Sequence, residues 1–257
     1  MIQTIKSLCT IFLKKEGSLL SETKLVNIFG INVGFNTLIA MIATLIIVFI
    51  LSVFFTRKLK VENPGKTQTV FEYLISFING IVEESFGNQS QPVYVMLALT
   101  LFLFVFVSNV LGLPFLVEAH EISYWKSPTA DPIVCIALAL TMNFISHILG
   151  IKKFGFGGYF KKNYATPNVA VLPIKAADEI ISIATLSLRL FGNIFAGEIL
   201  LVLIAQLGNS FGLVTWLAGI PLQMVWQGFS LFIGALQAYI FVTLSMVYLS
   251  HKVVTEH

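Results

Sequence analysis

The dominant pattern along the chain is a succession of apolar stretches, each about as long as a bilayer is thick, separated by short polar and cationic segments. A helix rises about 1.5 Å per residue and needs about 20 apolar residues to cross the hydrocarbon core. Phe35 to Phe55 supplies the first stretch and stops at Arg57, Lys58 and Lys60, a cationic end suited to an aqueous face. Tyr94 to Phe115 supplies a second. A third follows Asp131-Pro132 to about Leu149 and is succeeded by Lys152, Lys153, Lys161 and Lys162. From Pro173 to His251 there is room for two long helices, joined near the breakers Gly208, Gly212, Gly219 and Pro221. The pattern predicts an all-α integral membrane protein with five crossings, at 35–55, 94–115, 132–150, 173–207 and 220–250, the last two forming a long tilted hairpin.

A weaker pattern occupies 67–86, where Val70, Phe71, Leu74, Phe77, Ile78, Ile81 and Val82 recur at helical spacing with Glu72, Ser76, Asn79 and Glu83 between them. It reads as an amphipathic helix lying in the interface. The first thirty residues hold an apolar stretch broken by Lys6, Lys14 and Lys15, without a long hydrophobic run and a small-residue cleavage site. They read as a retained external segment with a short amphipathic surface helix, and residues 1–257 as a single membrane domain.

Composition agrees: 56% of residues are hydrophobic and 11% charged, against about 25% charged in a soluble domain, so the solvent is mostly lipid. The net charge of +3 is carried by short Lys and Arg clusters beside apolar runs, not by a basic stripe, which excludes nucleic acid as a partner. Cys9 and Cys135 stand apart and match no redox or metal spacing, and neither do His120, His147, His251 and His257. Gly155, Gly157 and Gly158 read as a flexible loop that lacks the ending of a phosphate cradle, so no nucleotide, metal or cofactor is expected on this chain. With the end of the first span inside, Arg57, Lys58, Lys60, Lys66, Lys152, Lys153, Lys161, Lys162, Lys175 and Lys252 face the cytoplasm, and Lys6, Lys14, Lys15, Lys24 and Lys126 do not. That bias predicts an external N-terminus and a cytoplasmic C-terminus, and the absence of a transit pattern points to a bacterial plasma membrane.

One cation, Arg189, sits inside an apolar run. Inserting a guanidinium there costs about 3 kcal/mol or more, and it stays protonated, so a buried partner or a function must justify it. Glu179 precedes it by ten residues and Glu198 follows by nine, about 15 Å and 14 Å along a helix in opposite directions. Asn193, one turn on, shares the face of Arg189, whereas Glu198 lies on a different one. A structural Arg paired with one carboxylate is the plain reading. The sharper one is a divided ion path, with a carboxylate serving each side and a fixed positive charge sealing the middle. A secondary transporter binding an anionic substrate at Arg189 is the alternative, though no inverted repeats or matching broken helices support it. No nucleophile, base and oxyanion set suggests an enzyme.

The run Ser187-Leu188-Arg189-Leu190-Phe191-Gly192-Asn193-Ile194-Phe195-Ala196-Gly197-Glu198 closely resembles the signature of the a subunit in the membrane sector of bacterial F-type ATP synthases. Pro64-Gly65-Lys66, Ser108 to Pro114, Ser127 to Asp131 and Leu236 to Phe241 look like the same family. The resemblance implies a non-catalytic stator subunit beside a ring of c subunits, with peripheral-stalk b subunits as further partners. It implies that Arg189 faces the ring carboxylates and that Gln237 packs near it. It also implies that Glu198 and Asn193 belong to an outer half-channel and Glu179 to an inner one. Some relatives carry a His where this chain has Ser230, which leaves Glu198, Ser230 and water to carry the outer relay. Asn109 is a candidate for lining the path and Asp178 for lining the inner cavity. Asn143 reads as an interhelical hydrogen bonder and Asp131 as a helix cap.

Overall fold

The computed structural model describes residues 25–28, 31–57, 65–112, 118–119, 122–123, 127–164, 172–208 and 213–254. A hairpin of β1 (Leu25–Ile28) and β2 (Ile31–Gly34) pairs antiparallel, Leu25 opposite Gly34, and leads straight into helix α1 (Phe35–Thr56). Then come α2 (Lys66–Phe86) and α3 (Pro92–Gly112), a minimal hairpin of β3 (Glu118–Ala119) and β4 (Ile122–Ser123), and the helices α4 (Pro132–Tyr164), α5 (Leu172–Gly208) and α6 (Leu213–Val253). Five helices are long and apolar enough to cross a membrane, in α1, α3, α4, α5 and α6. Periodicity did not foresee the two hairpins, whose strands are too short to set up an alternation. The expected surface helix of the first thirty residues falls largely outside the described residues.

Two sequence expectations change. Helix does not give way to a loop after the third span. Helix continues to Tyr164, and of Gly155, Gly157 and Gly158 only Gly155 leaves helical geometry, at φ 71° and ψ 162°. That region is essentially closed to residues with a Cβ, so one glycine makes a kink and the other two sit within a second helical segment, not a loop. The last connection is also shorter than the breakers suggested: Gly219 and Pro221 lie inside α6, and only 209–212 separate it from α5. In lipid a helix is the only way for a lone segment to satisfy its backbone, which overrides a proline's local preference. The apolar residues of α2 divide between the protein core and the outer surface. Phe71, Ile78, Ile81 and Val82 pack inward while Val70 and Phe77 are exposed. Gly87, at φ 54°, ends that helix in a conformation glycine adopts without strain.

The core lies where α2, α3, α4, α5 and α6 meet, with Ile78, Val105, Cys135, Leu190, Phe241 and Met246 among its fully buried or nearly fully buried members. The rings of Phe86 and Tyr94 stack at 4.4 Å across the turn between α2 and α3. α1 leans on α3 through Val48, Leu103 and Val107, and its Phe55 stacks on Phe71 at 4.9 Å. Asp131 caps α4 as expected: its Oδ1 accepts the Ile133 N–H at 2.9 Å ahead of Pro132 at the first helical position.

Candidate functional site

α5 divides its residues between two faces. Leu186, Ser187, Leu190, Ile194, Gly197 and Leu201 turn inward, while Ile181, Leu188, Arg189, Gly192, Ala196 and Leu200 are exposed along one helical stripe. Arg189 is therefore a cation in the middle of an apolar outer face, and it makes no hydrogen bond or ion pair with another described residue. The structure does not bond it to Glu179, Glu198 or Gln237. α6 also exposes Leu222, Val225, Phe229 and Phe232, and from Gln237 to Ser250 it is buried or half-buried. Gly192 meets nothing within 4 Å of where a Cβ would stand, so packing within this chain does not require a glycine there.

At the N-terminal end of α5 the structure gathers charged groups from three helices. The Lys252 ammonium on α6 donates to Glu179 Oε1 on α5 and to Asn143 Oδ1 on α4, and lies 3.0 Å from His147 Nε2. That same imidazole nitrogen is 2.7 Å from Glu179 Oε1, and its Nδ1 is 2.5 Å from the Tyr159 hydroxyl. The kink at Gly155 makes the last contact, because it turns the second segment of α4 back along the first. The Tyr159 ring then seats on Gly150, where a Cβ would stand 2.4 Å from Cε2. A cavity of about 350 Å³ opens beside the cluster, lined among others by Lys175, Asp178, Glu179, Ser245, His251 and Lys252. Asp178 is exposed on its rim and Ser182 Oγ donates to its carbonyl.

Toward the other end, Ser230 on α6 approaches Gly197 to 3.7 Å from a built Cβ, and Trp226 Nε1 donates to the Gly197 carbonyl at 3.3 Å. The next residue, Glu198, keeps one carboxylate oxygen buried, and Asn193 is half-buried. Between the two ends α6 carries a polar line at 230, 237, 245 and 252, spaced seven and eight residues apart and so on one face. Ser230 Oγ, Gln237 Nε2 and Ser245 Oγ on this line are buried and hydrogen-bond to no described residue.

Asn109 has different surroundings. It is fully buried, donates to the Gly234 carbonyl at 3.0 Å and accepts from Thr129 Oγ1 at 3.0 Å. Ser127 bonds both Thr129 and the Ser108 carbonyl, and Gly112 gives it room. Asn109 therefore ties α3, α6 and the turn before α4. His147, Tyr159, Asn143, Ser245 and Lys252 were missed as a site in the sequence. The readable signals were Asn143 and His147 one turn apart on α4 and the seven-to-eight spacing on α6. Among the described residues no group of acidic, His or Cys side chains is arranged to hold a metal.

The family profile described as ATP synthase A chain matches residues 37–250. A protein of Enterococcus faecalis named ATP synthase subunit a is 48% identical over 223 residues, 86% of this chain and 93% of that protein. Its namesake in Enterococcus hirae is 49% identical over 214 residues, 83% of this chain and 89% of that protein. The one in Staphylococcus saprophyticus is 46% identical over 236 residues, 90% of this chain and 96% of that protein.

Proposed function

The chain belongs to the ATP synthase A chain family, and from that premise we propose that it is the stator of the proton-translocating membrane sector of a rotary ATP synthase. On this reading Arg189 faces the carboxylates of a rotating ring of c subunits, b subunits of the peripheral stalk hold the chain in place, and ATP chemistry happens elsewhere in the assembly. The carrying observation is Arg189, exposed on an otherwise apolar face of α5 with no ion pair to a described residue. A guanidinium in lipid is tolerated only against a partner, and this face leaves room for one outside the chain.

The two carboxylates then serve opposite sides. Glu179, with Asp178 at the rim of its cavity, receives protons from or delivers them to the cytoplasm. Glu198, with Asn193 and Ser230, serves the exterior. A ring carboxylate arriving opposite Arg189 is drawn into its ionised form by the fixed positive charge, which also bars a proton from passing straight across. Gln237 and Ser245, buried with hydrogen-bonding capacity to spare, carry the polar line of α6 past that seal. Asn109, with its donor and its acceptor both engaged, serves as a structural tie.

ATP-driven proton pumping in inverted membrane vesicles tests this. Arg189→Ala, in a complex shown to be fully assembled, should abolish pumping, and unchanged pumping would remove the seal and the reading with it.

A further inference from the structure

Among the polar clusters outside the Arg189 region, the one around His147 has a geometry that the function proposed above leaves unused. The two nitrogens of this imidazole touch two different proton-bearing groups, Tyr159 at 2.5 Å and Glu179 at 2.7 Å. The same heavy-atom positions accept two proton arrangements. With the proton on Nδ1, that nitrogen donates to the Tyr159 oxygen, and bare Nε2 accepts from Lys252 at 3.0 Å. With the proton on Nε2, His147 donates to Glu179 and accepts from the Tyr159 hydroxyl. Switching between them requires no movement of the ring, only transfer of a proton in at one nitrogen and out at the other.

We propose that His147 is a proton relay of the inner cavity, carrying protons between the Tyr159 hydroxyl and the Glu179 carboxylate, with Lys252 as the residue that positions both Glu179 and the ring. In the inward direction, Tyr159 passes its proton to Nδ1 while cavity water reprotonates its oxygen, and the Nε2 proton goes to a carboxylate oxygen of Glu179. One proton enters at Tyr159 and one arrives on Glu179, no redox partner is needed, and His147, left with its proton on Nδ1, resets by losing that proton to Tyr159 and cavity water while Nε2 regains one from Lys252, which water reprotonates. The reverse sequence releases a proton. Imidazole suits this because it has two ring nitrogens on opposite edges, one of which can accept a proton while the other releases one. The charged and titratable groups around the relay are Glu179 on α5, Lys252 on α6 and Tyr159 on the second segment of α4, with Lys175, Asp178 and His251 on the shared cavity.

The inference rests on the stator reading, and the two fail differently. The experiment uses the whole assembled synthase in inverted vesicles, with the Arg189→Ala complex as the control for that reading. His147→Gln keeps an amide able to bond both neighbours but cannot pass a proton through. His147→Ala opens a space that added imidazole can fill. Both variants should slow pumping about tenfold, below the ordinary range for a positioned acid–base group because water supplies a parallel route. Millimolar imidazole should restore the Ala variant and leave the Gln variant unchanged. Pumping by His147→Gln at the wild-type rate, or a loss in His147→Ala that imidazole does not reverse, would make the histidine a structural contact and overturn the relay. If Arg189→Ala also pumps normally, the stator reading fails instead.

Discussion

Asn109 and Arg189 are both polar residues in apolar helices, and their surroundings decide what each can do. The amide of Asn109 donates to the backbone of α6 and accepts from Thr129, so removing it breaks two buried hydrogen bonds. Asn109→Ala should lower the stability of the chain by about 1–3 kcal/mol, read as a lower midpoint in thermal denaturation of the detergent-solubilised protein. A stability equal to wild type would show that the tie carries no weight. Arg189 was legible in the sequence because a permanent charge in the middle of a span stands out against its neighbours. The cluster around Glu179 was not. Its members come from positions more than a hundred residues apart on different helices, Lys252 with Asn143 and with His147, and each is unremarkable in its own stretch. Periodicity within one helix cannot report a meeting between three.

At the scale of the element, α5 shows how a helix can be shaped for something outside its own chain. A glycine in the middle of a helix costs about 1 kcal/mol relative to alanine, and at Gly192 no neighbour in this chain demands it. Three residues away, Arg189 is exposed on the same stripe. Gly192→Ala should therefore raise the stability of the isolated chain by up to about 1 kcal/mol while lowering pumping in the assembled complex, because the added methyl occupies the surface a partner helix approaches. Pumping at the full rate would show that no close partner lies there. Helices α1, α3 and α5 were legible from the spacing of apolar residues. The extension of α4 past Gly155 was not, since three glycines in four positions look like a loop until the packing of Tyr159 on Gly150 is known.

Among the described residues two groups of exposed apolar side chains contrast. Those of α1, such as Ile42, Phe49 and Phe54, ring a helix that contributes little to the core, as lipid contact requires. Those around Arg189 share their face with a charge, which lipid does not welcome. A nitroxide attached at Leu188→Cys, with Cys9→Ser and the buried Cys135 retained, should be readily relaxed by dissolved oxygen in the isolated chain and become several times less accessible in the complete synthase. Equal accessibility in both would leave this face to the bilayer.

The uneven burial of α6 has a mechanical meaning. From Ala238 to Val253 it is seated among its neighbours, with Ala238, Phe241, Val242, Met246 and Leu249 all fully enclosed, whereas most of its surface from Ile220 to Phe232 is open on the outer side. The helix resembles a beam clamped on all sides along one half and held along the other only on the side facing α5, through Trp226 and Ser230. A sideways push on the open side of that half, such as a turning neighbour would deliver, becomes a bending moment that is greatest at the root of the beam. The root lies near Gly234, where Asn109 grips the backbone from α3. On that account the asparagine acts as a brace, and its bond to Gly234 stiffens the place where bending would concentrate.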